Sequence, residues 1–159
     1  MSKLAVTSVL GAPHRDALER VFFFNENQAR AQEGVTYVVN RYGAPRIVVT
    51  DDERLRIDLD SSVQPQSLFA VVPAEEGVRP VGVVVFTREE ERLVVLFVAI
   101  DGDYTKRGSK GDYRVLPQLI DALKAIALRV RGITSLLVYL GRPTPTRIKL
   151  RRPADEERT

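Results

Sequence analysis

The sequence predicts an α+β domain, a mostly antiparallel mixed sheet whose chain closes with a strand–helix–strand unit. Three observations carry this expectation. Short runs rich in Val, Ile and Phe, separated by Gly, Pro and acidic turn residues, recur between residues 35 and 100. The last of them, LVVLFVAI at 93–100, shows no alternation of polar and apolar residues, so it belongs at the centre of a sheet with both faces covered. A helix-periodic stretch at 114–131 then leads into a second apolar run, SLLVYLG at 135–141, and a helical crossover of that length joins parallel strands.

Taken in order, KLAVTSV at 3–9 reads as a short strand ended by Gly11 and Pro13. A helix is expected over 14–32, with Pro13 near its first position, Asp16 in its first turn and Gly34 beyond its end. Its Leu18, Val21 and Phe22 share a face, and FFF at 22–24 is wide enough to meet a second surface, in the core or on a partner. VTYVVNRY from 35, RIVVT and RLRIDL then read as successive strands with hairpin-like reversals at GAP and DDE. Leu55, Ile57 and Leu59 alternate with charges, so that strand has one wet face. SSVQPQS is a loop, and SLFAVVP at 67–73 and VGVVVFT at 81–87 are further strands, with REEER turning the chain into 93–100. In the 114–131 helix, Leu116, Leu119, Ile120, Leu123, Ile126, Ala127 and Val130 form the apolar face. Pro117 fits only in its first turn, where a missing N–H costs nothing, so the helix must start at 113–116. RIKLRR opens as a short strand, giving one domain over 1–150 and a charged tail at 151–159.

Composition bounds the chemistry. With 159 residues, 44% hydrophobic and 28% charged, the chain is sized for one ordinary globular domain. No apolar run is long enough for a bilayer-spanning helix and no signal-peptide pattern opens the chain, so it reads as soluble and cytoplasmic. There is no cysteine and a single histidine, His14, which excludes thiolate nucleophiles, zinc knuckles and multi-histidine metal sites, and no metal is expected. A net charge of +3, with the bases dispersed, steers mildly toward anions without marking a nucleic-acid surface.

The segment with the most chemical content is YTKRGSKGDYR at 104–114. It lies between the carboxyl end of the buried strand and the amino end of the helix, where free N–H groups and the helix dipole favour anions. Lys106, Arg107 and Lys110 add charge, while Gly108 and Gly111 permit close backbone approach. Its glycine spacing is that of neither the Walker loop nor the dinucleotide fingerprint. Gly, Ser, Lys and Asp are also the ordinary residues of an exposed turn.

Over residues 67–141, from the hairpin RPVGVVVFTREEERLVVLFVAI through the Arg-Gly loop and the helix to SLLVYL, the sequence resembles the GNAT acyl-CoA N-acyltransferases. The resemblance implies an acyl-CoA N-acyltransferase-like fold and transfer of an acetyl or other acyl group from acyl-CoA, as cosubstrate, to a small-molecule or peptide amine. It also implies that Phe97, Val98 and Ala99 offer backbone groups to the pantetheine arm, and that Arg107, Gly108, Ser109, Lys110 and Gly111 grip the pyrophosphate. Such chemistry needs a base for the amine and a proton donor for the leaving thiolate. Asp101 beyond the central strand and Tyr139 in the following one are the candidates, with Asp103 and Tyr104 beside them, whereas Glu89, Glu90 and Glu91 read as a solvated turn.

Two other classes compete. Consecutive strands before a long amphipathic helix resemble the helix-grip fold, START or Bet v 1-like, which encloses an apolar ligand. Tyr104, Lys106, Arg107, Lys110, Tyr113 and Arg114 interleave aromatics and bases in the manner of a nucleic-acid-binding module, and a remodelled relative of the acyltransferases that has lost catalysis would be an inactive CoA-binding module. FFF and the apolar strands suit a homodimer. The deciding observation is whether strands 93–100 and 135–140 run parallel and part near the loop.

Overall fold

A computed structural model describes residues 4–23, 32–75, 77–105, 108–139 and 144–151. Its elements in chain order are β1 Ala5–Thr7, α1 Arg15–Phe23, α2 Gln32–Tyr42, β2 Pro45–Val49, β3 Leu55–Leu59, β4 Gln66–Ala74, β5 Gly77–Glu89, β6 Arg92–Ile100, α3 Val115–Arg129, β7 Ser135–Val138 and β8 Thr146–Lys149. Among the described residues, six strands form one sheet in the order β1-β4-β5-β6-β7-β8, and β2-β3 form a separate hairpin. Every pairing in the larger sheet is antiparallel except β6 with β7, which is parallel. The architecture is therefore an α+β mixed sheet with a strand–helix–strand end.

Both faces of the sheet are covered, which is why β5 and β6 carry continuous apolar runs. Val83, Val84 and Val85 are successive residues that point to opposite faces, and all three are fully buried. On one face α3 lays down Val115, Leu119, Leu123 and Ala127, a stripe at four-residue spacing, against Leu68, Ala70, Val81, Val84 and Val95. The helix seats this closely because β5 has glycine beneath its first turn. A Cβ at Gly82 would come within 2.7 Å of Val115 Cγ1. Pro117 falls in that first turn, as its missing N–H requires.

The other face is covered by α1, through Leu18, Val21 and Phe22, by Val38 and Tyr42 of α2, and by the β2-β3 hairpin. In β3, Leu55, Ile57 and Leu59 are buried while Arg56 is exposed, the alternation expected of a strand with one wet face. The hairpin is tied to the segment after β1 by the Leu55 N–H donating to the Leu10 carbonyl and the Ala12 N–H donating to the Glu53 carbonyl.

The expected strand at 35–42 is a correction, because these residues belong to α2. Val35, Val38, Val39 and Tyr42 stand at i, i+3, i+4 and i+7, and it is Val38 and Tyr42 that are buried against the sheet. Tertiary burial of that stripe outweighs the strand preference of β-branched residues. The first helix accordingly ends its described span at Phe23, and Gly34 lies within α2 rather than beyond a helix end. Phe22 enters the core and Phe23 stays exposed, while Phe24 lies outside the described residues. The helix-grip arrangement would end on its helix, yet here β7 and β8 follow α3 into the sheet. Among the described residues no helix is long and apolar enough to cross a membrane.

Candidate functional site

β6 and β7 run side by side for only part of β6. Their register joins Arg92 with Ser135 through Val95 with Val138, and the last rung is the Tyr139 N–H donating to the Val95 carbonyl at 3.0 Å. β6 continues to Ile100, but no described strand pairs with it on that side beyond Val95. The end of this described pairing coincides with an irregularity on the opposite edge of β6. Val95 pairs with Phe86 and Phe97 with Val85, so Leu96 is an extra residue in β6. An inserted residue makes two neighbours face the same way. Leu96 and Phe97 both enter the core beneath α1 and α2, which displaces the alternation by one from there on.

Of the three β6 residues expected to meet a pantetheine arm, Phe97 and Ala99 bury their side chains in that core. Val98 packs half-buried on the α3 side. With the Val95 carbonyl committed to β7 and Leu96 inserted, backbone alternation turns the Val98 N–H and C=O toward the side on which β7 pairs with β6 up to Val95.

At the end of β6 the connection to α3 is folded tightly rather than hanging as an open loop. A 3-10 turn spans Gly102–Tyr104 and a second spans Gly111–Tyr113, after which Arg114 takes a left-handed conformation (φ 54°, ψ 53°) and α3 begins. Arg107 lies outside the described residues, as does Lys106. Gly108 is glycine for a steric reason, because a Cβ there would collide with the carbonyls of Gly102 and Asp103. The Gly108 N–H donates to the Thr105 carbonyl, the Lys110 N–H to that of Asp103 at 2.7 Å, and the Gly111 N–H to that of Gly108. Those amides hold the turn together, so of the expected pyrophosphate-gripping residues at 108–111 only Ser109 keeps its N–H unengaged among the described residues.

What the fold gathers here instead is cationic. Tyr104 is buried, with its ring edge-to-face against Tyr113 at 5.1 Å. Lys110 Nζ stands 5.3 Å from the Tyr104 ring centre and 3.4 Å from its hydroxyl, and the Arg79 guanidinium stands 5.9 Å from the same ring. Both cationic side chains are exposed, and neither forms an ion pair among the described residues. Two like charges over one ring repel each other unless an anion joins them. Arg79 comes from β5, far from the loop in sequence, and only the fold brings it to Tyr104. Tyr104, only 4% exposed, offers no face on which a base could stack.

The two catalytic candidates are not brought together. The Asp101 carboxylate accepts the Asp103 N–H at 3.0 Å and so caps the first 3-10 turn. Tyr139 lies level with Val95. Asp101 is therefore separated from it by most of the length of β6, roughly 15–20 Å at the usual rise per residue, too far for both to act on one reacting atom.

Around Tyr139 the structure assembles groups that the sequence reading left apart. Its buried ring lies 5.7 Å from that of Tyr37 on α2. One helical turn on, Arg41 donates from Nη1 to the Tyr37 hydroxyl at 3.4 Å and reaches Glu89 with Nη2 at 3.9 Å. The Tyr42 hydroxyl donates to Glu89 Oε1 at 2.8 Å, and Arg92 approaches the other carboxylate oxygen at 3.8 Å. Glu89 is thus a partly buried anchor, in contrast to the solvated-turn expectation. Spacing Tyr37 four residues before Arg41 would have signalled the pair, but only once 35–42 was read as a helix.

These contacts perturb two phenols. Burial, reinforced by the Glu89 carboxylate, pushes Tyr42 far above the ordinary tyrosine range. Burial and then the Tyr37 hydroxyl raise Tyr139, while Arg41 pulls it down. A raised folded-state pKa for an acid that is neutral below it means that its stability contribution is intact below the unfolded value near 10. That contribution is lost as pH climbs through the alkaline range. Urea midpoints at pH 8 and 11 should therefore fall sharply for the native chain and less for Tyr42→Phe; equal losses in the two proteins would refute the assignment. Among the described residues no group of His, Asp or Glu is arranged to hold a metal.

No protein-family model and no curated protein sequence matches this chain. Among solved structures, it aligns with nourseothricin acetyltransferase over 86% of its own length and 72% of that chain, at 17% identity and a TM-score of 0.40. It aligns with a GNAT family N-acetyltransferase (YhbS) from Escherichia coli in complex with CoA over 86% of its own length and 61% of that chain, at 18% identity and a TM-score of 0.40. Likeness at that level assigns no role to any residue, and the roles considered below rest on the contacts within this chain.

Proposed function

We propose that this chain is a GNAT-like N-acyltransferase, which takes an acyl group from acyl-CoA and transfers it to an amine. The observation that carries the reading is that the pairing of the two parallel central strands ends, among the described residues, at Val95 and Tyr139, opposite the inserted Leu96. A parallel pair that separates in mid-sheet leaves a slot with a backbone edge on one wall, and an extended, amide-bearing arm can extend the sheet there. In this reading Val98 pairs with the amides of the pantetheine arm, between the buried side chains of Phe97 and Ala99. The CoA phosphates lie at the other end, taken by Lys110, Arg79 and the free Ser109 N–H together with the first turn of α3, with Gly108 and Gly111 shaping the turn and Arg107 adding its charge to the same segment of sequence.

The thioester then sits where the strands part, beside Tyr139. The amine nitrogen attacks the carbonyl carbon, a C–N bond forms, the C–S bond breaks, and the sulfur leaves with the electron pair. Tyr139 is the proposed donor to that thiolate. Asp101 is proposed only as the cap that holds the first 3-10 turn in place. The acceptor is a small-molecule or peptide amine.

Two measurements test this. Acetyl-CoA at about 100 times its dissociation constant should stabilise the fold by roughly 2.7 kcal/mol through linkage, seen as a raised melting temperature. Since the chain contains no cysteine, a thiol reagent reads CoA release against no protein background when amines are supplied. The absence of any melting shift at millimolar CoA would sink the proposal. Binding without thiol release from any of a broad panel of amines would reduce the chain to a CoA-binding module.

A further inference from the structure

We infer that Tyr37 and Arg41 are positioning residues for Tyr139: Tyr37 fixes the ring at the last described rung between β6 and β7, and Arg41, facing Glu89, supplies positive charge at the Tyr37 hydroxyl. The inference deepens the acyltransferase reading and rests on it for the identity of the proton acceptor, while the coupling of the three side chains stands on geometry alone. Tyr139 is held at both ends. Its N–H forms the last rung with Val95, and its ring is buried against Tyr37 at 5.7 Å with a 36° tilt. Tyr37 is in turn held by Arg41 through the hydroxyl.

Arg41 has half its side chain exposed, and Glu89 faces it from the end of β5 at 3.9 Å. Glu89 is itself fixed by the Tyr42 hydroxyl on α2 and approached by Arg92 on β6. The groups facing Tyr139 are therefore Tyr37, Arg41 and Tyr42 from α2 and Glu89 from β5, with Arg92 behind Glu89. One helix contributes three of these at consecutive or one-turn spacing, which a role confined to packing would not require.

The chemical consequence concerns the proton. When the C–S bond of the thioester breaks, Tyr139 gives its proton to the sulfur and becomes a phenolate. The Arg41 charge stabilises that anion, and the proton released by the attacking amine restores the phenol, so the step is balanced with no further reactant. Arg41 and Tyr37 act on Tyr139 with opposite sign. Arg41 favours the ionised phenol, whereas the Tyr37 hydroxyl, as partner of the neutral form, holds its proton on.

The test follows each of the five tyrosines by the 13Cζ resonance of labelled protein between pH 8 and 12, with Tyr139 assigned by the Tyr139→Phe variant. Arg41→Gln is expected to move the Tyr139 midpoint up, Tyr37→Phe to move it down, and Arg41→Lys to leave it close to native. In parallel, kcat for acetyl transfer at pH 8 should fall about 100-fold in Tyr139→Phe and about 10-fold in Tyr37→Phe and Arg41→Gln. KM for acetyl-CoA should stay unchanged, with Arg41→Lys largely restoring the rate. A Tyr139 midpoint that neither variant moves overturns the coupling. Midpoints that move while both variants keep the native kcat overturn the positioning role. A chain that binds no acetyl-CoA overturns the acyltransferase reading and the proton-donor half of this inference with it, and the resonance titration then still decides whether the three side chains are coupled.

Discussion

Gly108→Ala is expected to cost about 3 kcal/mol of stability, at the upper end of what forcing an extra methyl into packed structure costs, and to loosen the amino end of α3. The methyl would have to enter space occupied by the Gly102 and Asp103 carbonyls. Those atoms cannot retreat cheaply, since the Gly102 carbonyl accepts the Thr105 N–H and hydroxyl and the Asp103 carbonyl accepts the Lys110 N–H. Moving either one frees the turn that leads through Arg114 into the helix. The urea midpoint should fall, and hydrogen exchange of the amides of Lys110, Gly111 and Tyr113 should accelerate more than that of the sheet. A neutral substitution would mean that 101–114 is the solvated turn its composition also allows. Loss of CoA affinity in this variant would by itself say nothing about contact, because the damage is to the frame.

The frame was more legible in the sequence than the contacts that give it chemistry. β6, α3 and β7 could be read because each satisfies a strong local rule: an unbroken apolar run, a four-residue stripe with Pro117 confined to the first turn, and a second apolar run after a glycine stop. The inserted Leu96 could not. A bulge betrays itself as a break in alternation, and LVVLFVAI, apolar toward both faces, has no alternation to break. The stretch 35–42 shows the opposite failure. Its Val35, Val38, Val39 and Tyr42 carry a helical stripe, but three valines and a threonine in eight residues weigh toward a strand, and only packing on the sheet decides. In a strand Tyr37 and Arg41 would not be neighbours one turn apart, and Glu89 would lack the Tyr42 and Arg41 partners that the helix brings to it. Gly108 stood out in the sequence as a residue that permits close backbone approach, and in the structure the approach is that of the Gly102 and Asp103 carbonyls.

Reversing the two cations beside Tyr104, with Arg79→Glu and Lys110→Glu together, should weaken acetyl-CoA binding by roughly 1000-fold at low salt while leaving the urea midpoint near that of the native chain. Hydrogen bonds to charged groups contribute about 1.5–3 kcal/mol each, so two lost contacts alone span about 100- to 10,000-fold. Stability should be little affected because both side chains are exposed and neither satisfies a carboxylate among the described residues. The cation–π contacts that are lost are those of exposed side chains, each contributing about 0.5–1 kcal/mol. The single variants Arg79→Gln and Lys110→Gln separate charge from contact, and each should lose less than half of the effect in free-energy terms. Adding salt should erode native binding toward that of the double variant, since the attraction is screened over a Debye length of about 8 Å at physiological strength. If the double variant binds as the native chain does, the phosphates lie elsewhere, and the convergence of Arg79 and Lys110 on Tyr104 has no part in holding CoA.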